Sequence, residues 1–280
     1  YDKVRELIDE NALNNFKNRA MNNENFNTRG TAQNDDIYFQ NTEVRNKYYN
    51  DSVDIVNKYM KEINKITGCN YKPFNYYGAK DASKVIVAMG SVCETIKETI
   101  DCLNEQGEKL GLIEVHLYRP FSAKYLLNVL PKSVEKIAVL DRTKESGSHE
   151  PLYLDVLDVI KNNRPTIEVI GGRYGLSSKN TTPYQIKAVY DFLDNPKKFN
   201  GFTIGIHDDV TNLSLKEKKF DFDNKAHEML IYGFGSDGMV SASKDIIKIT
   251  GANTKAYTQG YFEYDSKKSG GITMSHLRFG

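Results

Sequence analysis

The sequence predicts an α/β protein, and two observations carry that expectation. From about Ala79 onward, short apolar runs alternate with amphipathic stretches of helical length. Near the end, the apolar run Met229–Tyr232 enters a glycine turn and then a second helix-like stretch. Strands that are apolar throughout and separated by amphipathic helices belong to parallel sheets covered on both faces.

Residues 1–78 have a different texture, rich in Asn, Tyr and charge. Val4, Leu7, Ile8, Ala12 and Phe16 partly match helical spacing over residues 2–20. A second helix is predicted from about Asp51 to Thr67, where Val53, Val56, Tyr59, Met60 and Ile63 form one apolar face. Between them, Asn27 to Gln40 has no period and reads as an irregular segment ordered by something else.

In the middle zone, strands are predicted at Val85–Met89, Leu112–Leu117, Lys136–Leu140, Ile167–Ile170 and Phe202–Ile206. Helices are predicted at Cys93–Asn104, Ser122–Leu130, Pro151–Asn162 and Pro183–Leu193. Ser91 with Glu94 has capping-box spacing, Gly107 ends that helix, and Ser122 caps the next. The pattern is that of a complete α/β domain over 79–225, expected to fold independently. A polar stretch from Asn212 to His227 links it to a third zone, 226–280.

That zone opens on Gly233-x-Gly235-x-x-Gly238 and reaches Tyr264-Asp-Ser-Lys-Lys-Ser-Gly-Gly271 about 25 residues later. Strand, glycine turn, helix and second strand tip form a βαβ unit of the Rossmann kind, which builds nucleotide-phosphate sites. The chain starts on Tyr1, without Met, and stops at Gly280 before this unit would close. The expectation is therefore an internal piece of a longer polypeptide, with 226–280 loose on its own.

Composition excludes some function classes. Lys+Arg 38 against Asp+Glu 37 gives a net charge of +1, which supplies no electrostatic pull toward nucleic acid or an acidic membrane. No apolar run approaches the roughly 18 residues that span a bilayer. Cys69, Cys93 and Cys102 are widely spaced and make no C-x-x-C, so they read as reduced thiols in an intracellular protein. The histidines (116, 149, 207, 227 and 276) lack metal-binding spacing, and no metal site is predicted.

The candidate binding residues are Gly233, Gly235, Ser236, Asp237 and Gly238, with Ser266, Lys267, Lys268 and Ser269. The glycines let backbone N–H groups approach an anion at a helix N-terminus, although any tight strand–helix turn also uses glycine. Glu263 and Asp265 lie near the spacing of a ribose-binding acid. Lys267 and Lys268 suit a ribose carrying its own phosphate, as in NADP or coenzyme A; a solvated Lys-Lys turn is the plainer alternative.

Other strand ends attract notice. Arg119 precedes Pro120, which favours an extended turn at the carboxyl edge where α/β sites gather; it serves equally as a structural bridge to Asp141 or Glu145. Gly171-Gly-Arg-Tyr-Gly175 closes another strand. His207 beside Asp208-Asp209 forms either a proton relay or a hydrogen-bonded surface cluster.

Taken in order, several motifs resemble one family. They are Arg29-Gly-Thr-Ala-Gln-Asn-Asp-Asp-Ile-Tyr-Phe-Gln40, Leu117-Tyr-Arg-Pro-Phe121, Leu140-Asp-Arg-Thr-Lys-Glu145, Gly171-Gly-Arg-Tyr-Gly-Leu176 and Asp208-Asp-Val-Thr211. Gly233-Phe-Gly-Ser-Asp-Gly238 and Tyr264-Asp-Ser-Lys-Lys-Ser-Gly-Gly-Ile-Thr273 complete the set. Across essentially its whole length the chain resembles the large single-chain pyruvate:ferredoxin (flavodoxin) oxidoreductases of anaerobes.

The resemblance implies that 1–78 end a domain holding the pyrimidine side of thiamine diphosphate. It implies that 79–225 are a transketolase-C-terminal-like domain and that 226–280 open a coenzyme A-associated domain. The implied enzyme is a cytoplasmic homodimer that takes pyruvate and coenzyme A to acetyl-CoA and carbon dioxide. Thiamine diphosphate, Mg2+ and [4Fe-4S] clusters would serve as cofactors, with ferredoxin or flavodoxin as electron partner. The family's thiamine and cluster ligands are absent here, so no catalytic residue is assigned and the piece alone is expected to be inactive. Rival readings are a non-catalytic nucleotide-binding or assembly module and an NADP-dependent dehydrogenase.

Overall fold

A computed structural model describes residues 1–26, 30, 32–207, 210–222, 225–267 and 270–280. The chain divides into two compact units, 1–220 and 221–280.

The first unit opens with α1 (Asp2–Arg5) and α2 (Glu10–Lys17), where one helix over 2–20 was expected. The break falls at Asp9, an extended residue whose carboxylate accepts the Ala12 N–H and caps α2. Short α3 (Tyr38–Glu43) follows, then α4 (Asn46–Thr67), which ends where Gly68 turns left-handed.

The sheet begins with β1 (Phe74–Gly78) and continues through β2 (Lys84–Ala88), α5 (Val92–Glu105) and β3 (Leu110–Val115). Next come α6 (Ala123–Val129), β4 (Lys136–Asp141), α7 (Pro151–Asn163), β5 (Glu168–Arg173), α8 (Pro183–Leu193) and β6 (Phe202–Thr203). Among the described residues, the strand order is β1-β3-β2-β4-β5-β6, parallel except for β1, which runs antiparallel to β3. This is the expected α/β arrangement. The edge strand β1 was not anticipated: Asn75 interrupts its apolar pattern, and the strand lies immediately before the change of texture at Ala79.

Side chains alternate across each strand, so both faces carry a core. Ile86, Ala88, Ala138 and Leu140 join α5 and α8 on one face. Val85, Val87, Ile137 and Val139 join α6 and α7 on the other. Asp54 ties α4 to α6 by accepting from Tyr125 Oη (2.6 Å) and Lys124 Nζ (3.2 Å). Strand β6 is shorter than expected because Gly205 takes φ +81°, which ends the extended run.

The expected caps at Ser91 and Ser122 do not form side-chain bonds. Glu94 pairs with Lys97 instead. A capping box does form at Thr182–Gln185, opening α8.

The second unit contains β7 (His227–Phe234), α9 (Met239–Asn253), β8 (Thr258–Tyr264) and β9 (Ile272–Phe279). Its order is β7-β9-β8, with β9 antiparallel to both neighbours. The β7–α9–β8 crossover is the predicted strand–helix–strand unit, and β7 and β8 point the same way. They are not adjacent, as they would be in a dinucleotide fold, because β9 fills the gap. A hairpin return from β8 makes the most local pairing available, and that places β9 between them. Thr273, Ser275 and Leu277 are buried on one face of β9, while Leu230, Tyr232, Phe234 and Ile272 remain exposed.

Candidate functional site

The turn from β7 to α9 carries the five predicted loop residues together. Gly238 is the N-cap of α9 at φ +88°, a conformation that suits glycine. Gly233 is buried, and a Cβ there would lie 2.7 Å from Met239 Cβ, 2.9 Å from Thr273 Oγ1 and 3.0 Å from Asp237 Oδ2. The absence of a side chain at 233 therefore lets helix, sheet and loop meet.

Asp237 determines the electrostatics of the turn. Its Oδ2 accepts the Phe234 N–H at 2.6 Å and its Oδ1 accepts the Met239 N–H at 2.9 Å. The first four N–H groups of a helix have no intrahelical acceptor, and a carboxylate there also meets the positive end of the helix dipole. One expected anion donor is thus already engaged by the protein's own carboxylate. The Gly235 N–H is engaged too, with Gly271 O at 3.0 Å.

Lys267, from the second predicted segment, lies on the opposite wall. A cleft of about 370 Å³ is lined by Phe234–Gly238, Val240, Ser241, Tyr264, Asp265, Lys267 and Gly271–Thr273. Asp265 turns onto its own loop, accepting from Lys267 N at 3.1 Å and Ser266 Oγ at 3.4 Å. Lys267 is exposed at the cleft. Lys268 and Ser269 lie outside the described residues. Glu263, the other ribose candidate, sits 3.0 Å from His276 Nε2, on the face of the sheet opposite Thr273.

Thr273 was not singled out by the sequence as a site residue. It is buried in β9, paired across to Gly233 and Tyr264, and among the described residues its Oγ1 has no hydrogen-bond partner. Sequence alone offers little signal for it, since a threonine in an alternating strand looks ordinary.

The carboxyl edge of the first sheet is internally committed. Arg119 bridges Asp155 at 2.7 Å, not Asp141 or Glu145, and stacks on the Tyr118 ring at 4.0 Å. Asp141 is buried and accepts the Leu152 and Tyr153 N–H groups, both at 3.1 Å, so it caps α7. Arg173 pairs with buried Glu150 and donates to Gly201 O. Arg142 donates to Gly175 O and Ser178 Oγ. These charges hold loops together. His207 lies 3.9 Å from Glu217; Asp208 and Asp209, the partners considered for it, fall outside the described residues.

Fold and cleft together define an α/β protein with a doubly covered parallel sheet and a smaller strand–helix–strand unit carrying a polar cleft at the helix start. Comparison with known proteins narrows the class. The family "Pyruvate:ferredoxin oxidoreductase core domain II" matches residues 82–186, and "Pyruvate ferredoxin/flavodoxin oxidoreductase" matches 228–280. The chain is 50% identical to a pyruvate-flavodoxin oxidoreductase of Enterobacter agglomerans and 53% identical to a pyruvate:ferredoxin oxidoreductase of Moorella thermoacetica. Both alignments cover 100% of this chain and 24% of the relative. A solved 2-oxoglutarate:ferredoxin oxidoreductase from Magnetococcus marinus aligns at 15% identity and TM-score 0.37, over 61% of this chain and 28% of that one. The chain belongs to the pyruvate:ferredoxin/flavodoxin oxidoreductase family, and it spans about a quarter of the length of these curated relatives.

Proposed function

We propose that this chain is part of an oxidoreductase that converts pyruvate and coenzyme A to acetyl-CoA and carbon dioxide. The two electrons released leave through iron–sulfur clusters to ferredoxin or flavodoxin. The observation that carries this reading is identity of 50% and 53% sustained over the entire chain, across both units. Within that enzyme, 1–78 close the domain on the pyrimidine side of thiamine diphosphate, and 79–225 are the transketolase-C-terminal-like domain. Residues 226–280 open the coenzyme A-associated domain. A cytoplasmic homodimer is the assembly in which this reading places the chain.

The chain's own residues do not fit the metal cofactors. Among the described residues no group of His, Cys, Asp or Glu could hold a metal ion. Cys93 is buried, and burial pushes its thiol up to about 12, which leaves it protonated and a poor ligand. By the family resemblance, thiamine diphosphate, Mg2+ and [4Fe-4S] clusters are assigned to residues outside this sequence, and the chain by itself is expected to show no turnover.

Coenzyme A is the group this chain can meet. The cleft at α9 offers an exposed Lys267 as counter-charge for a phosphate, while the start of α9 itself is engaged by Asp237. Gly235, Ser236, Asp237 and Gly238 line the cleft on one side and Lys267 on the other; Gly233, Ser266, Lys268 and Ser269 belong to the same proposed coenzyme A region through the family motifs. An affinity tag on this chain in its native host tests the function. The captured assembly should reduce a viologen dye with pyruvate only when coenzyme A is present. Pyruvate-independent reduction of NADP, or no pyruvate-dependent reduction at all, would contradict the assignment.

A further inference from the structure

We infer that the ring of Tyr264 is the platform on which the α9 cleft stacks the adenine base of coenzyme A, while Lys267, three residues on, holds a phosphate of the same nucleotide. The inference rests on the coenzyme A reading above and gives it a base-recognition residue.

The packing of α9 on β8 leaves this ring uncovered. Side chains alternate along a strand, so Thr258, Gly260, Phe262 and Tyr264 share one face of β8. Each of the first three meets a residue of the helix. A Cβ on Gly251 would lie 3.2 Å from Thr258 Oγ1, Ile247 occupies the place a Gly260 side chain would take, and Lys244 Nζ sits over the Phe262 ring at 5.4 Å. The next helical turn in that series carries Val240 and Ser241, whose side chains are shorter. Tyr264 accordingly remains 62% exposed, and it lines the cleft together with Val240 and Ser241. At about 370 Å³ the cleft falls within the range of small-ligand sites.

The chemistry of the two walls decides what lies on that ring. Asp237 holds the Phe234 and Met239 N–H groups with its carboxylate oxygens, so its wall is negative and repels a phosphate. Lys267 is the cation on the other side, and the charged part of a ligand belongs there. The face of Tyr264 takes a flat, neutral group, and a purine stacks on an aromatic ring whatever its hydrogen-bonding edge. Phe234 is a second exposed ring at the cleft. It pairs across β9 with Ile272, whereas Tyr264 pairs with Thr273. Successive residues of β9 face opposite ways, so Phe234 lies on the face of the sheet away from α9.

The spacing suits one nucleotide. Three residues span at most roughly 11 Å, and the loop is drawn in further where Asp265 accepts the Lys267 N–H at 3.1 Å. In coenzyme A the base and the 3′-phosphate hang on a single ribose, so a ring and an ammonium this close can meet both.

The test is binding to the native assembly containing this chain, with three probes. They are coenzyme A, adenosine 3′,5′-bisphosphate as its nucleotide half, and etheno-coenzyme A, whose fluorescent base is quenched when it stacks on an aromatic ring. Tyr264→Ala should bind coenzyme A and the bisphosphate more weakly by the same factor, roughly tenfold. Tyr264→Phe should stay close to wild type, because stacking uses the ring and not the hydroxyl. At saturation the etheno base should be quenched on wild type and on Tyr264→Phe, and should regain emission on Tyr264→Ala. Unchanged coenzyme A affinity in Tyr264→Ala would overturn the inference, as would a loss for coenzyme A with none for the bisphosphate. A loss in Tyr264→Phe as large as that in alanine would also overturn it, because it would assign the effect to the hydroxyl. An etheno base left unquenched on wild type does so without any substitution, so a misfolded variant does not spare the proposal. These outcomes sink the platform alone while wild type binds coenzyme A; a wild type that binds no coenzyme A sinks the coenzyme A reading with it.

Discussion

Asp141 and Asp194 are two carboxylates whose surroundings push in opposite directions. Burial raises the Asp141 carboxyl above its ordinary value, the Leu152 and Tyr153 N–H groups pull it down, and Glu150 and Asp155 raise it again. The net direction is upward. A carboxyl raised in the folded state binds its proton more tightly there, so its contribution to stability is largest below the unfolded value, about 3.9. It diminishes as pH rises toward the folded value. Asp141→Asn keeps one acceptor for α7 and loses the other, an expected loss of about 1 kcal/mol at pH 7 in urea denaturation. That deficit should widen as the pH is lowered toward 4; a deficit that shrinks instead would contradict the burial account. Tyr190 is a simpler case: fully buried, it donates to Gly111 O at 2.9 Å. Tyr190→Phe leaves that carbonyl without the hydroxyl and should cost about 1 kcal/mol with the fold intact. None of these partners was legible beforehand. Asp141 was considered for a bridge to Arg119 because both end strands, but the backbone of α7 reaches it first. Lys267 was singled out for its chemistry and lines the cleft, whereas the inward turn of Asp237 depends on loop geometry that glycine spacing does not encode.

Elements were legible where their pattern was uniform. Val85-Ile-Val-Ala and Lys136-Ile-Ala-Val-Leu-Asp became β2 and β4, and α8 runs from Pro183 to Leu193 as its spacing predicted. Strand β1 escaped because half of it faces outward, and the α1–α2 break escaped because a capping aspartate outweighs a loose helical period. The split of β7 and β8 by β9 could not be read from motif order, which is the same for adjacent and separated strands. At the other edge of the first sheet, Asp194 follows α8 and meets Lys84 at 2.8 Å and Lys136 at 2.7 Å, at the starts of β2 and β4. Burial would raise its carboxyl, but the hydrogen bonds from Lys136 and Lys84 outweigh it and hold the value below the usual range. The sign is opposite to Asp141: this stability is present above the unfolded value and is lost as pH falls through the lowered folded one. Asp194→Asn should therefore lower the melting temperature at pH 7 and at low salt, with the difference closing toward pH 3 and at high salt. A difference independent of both would place the effect elsewhere.

At the scale of the molecule, the first unit carries two apolar layers on one sheet, while the second packs a single helix against three strands. Amide exchange should accordingly be slowest in β2 and β4, at the centre of the first sheet, and faster in β7, an edge strand with exposed Leu230, Tyr232 and Phe234. The family was legible in the sequence because its motifs are spread along the whole chain. The geometry of its cleft was legible only in part, since Thr273 is silent as a motif and Lys268 and Ser269 lie outside the described residues. The most direct test of the account is hydrogen exchange on the native assembly with and without coenzyme A, with NADP as the comparison. The account predicts slower exchange over residues 233–241 and 264–273 with coenzyme A and not with NADP. Protection confined to other segments, or produced equally by NADP, would contradict it.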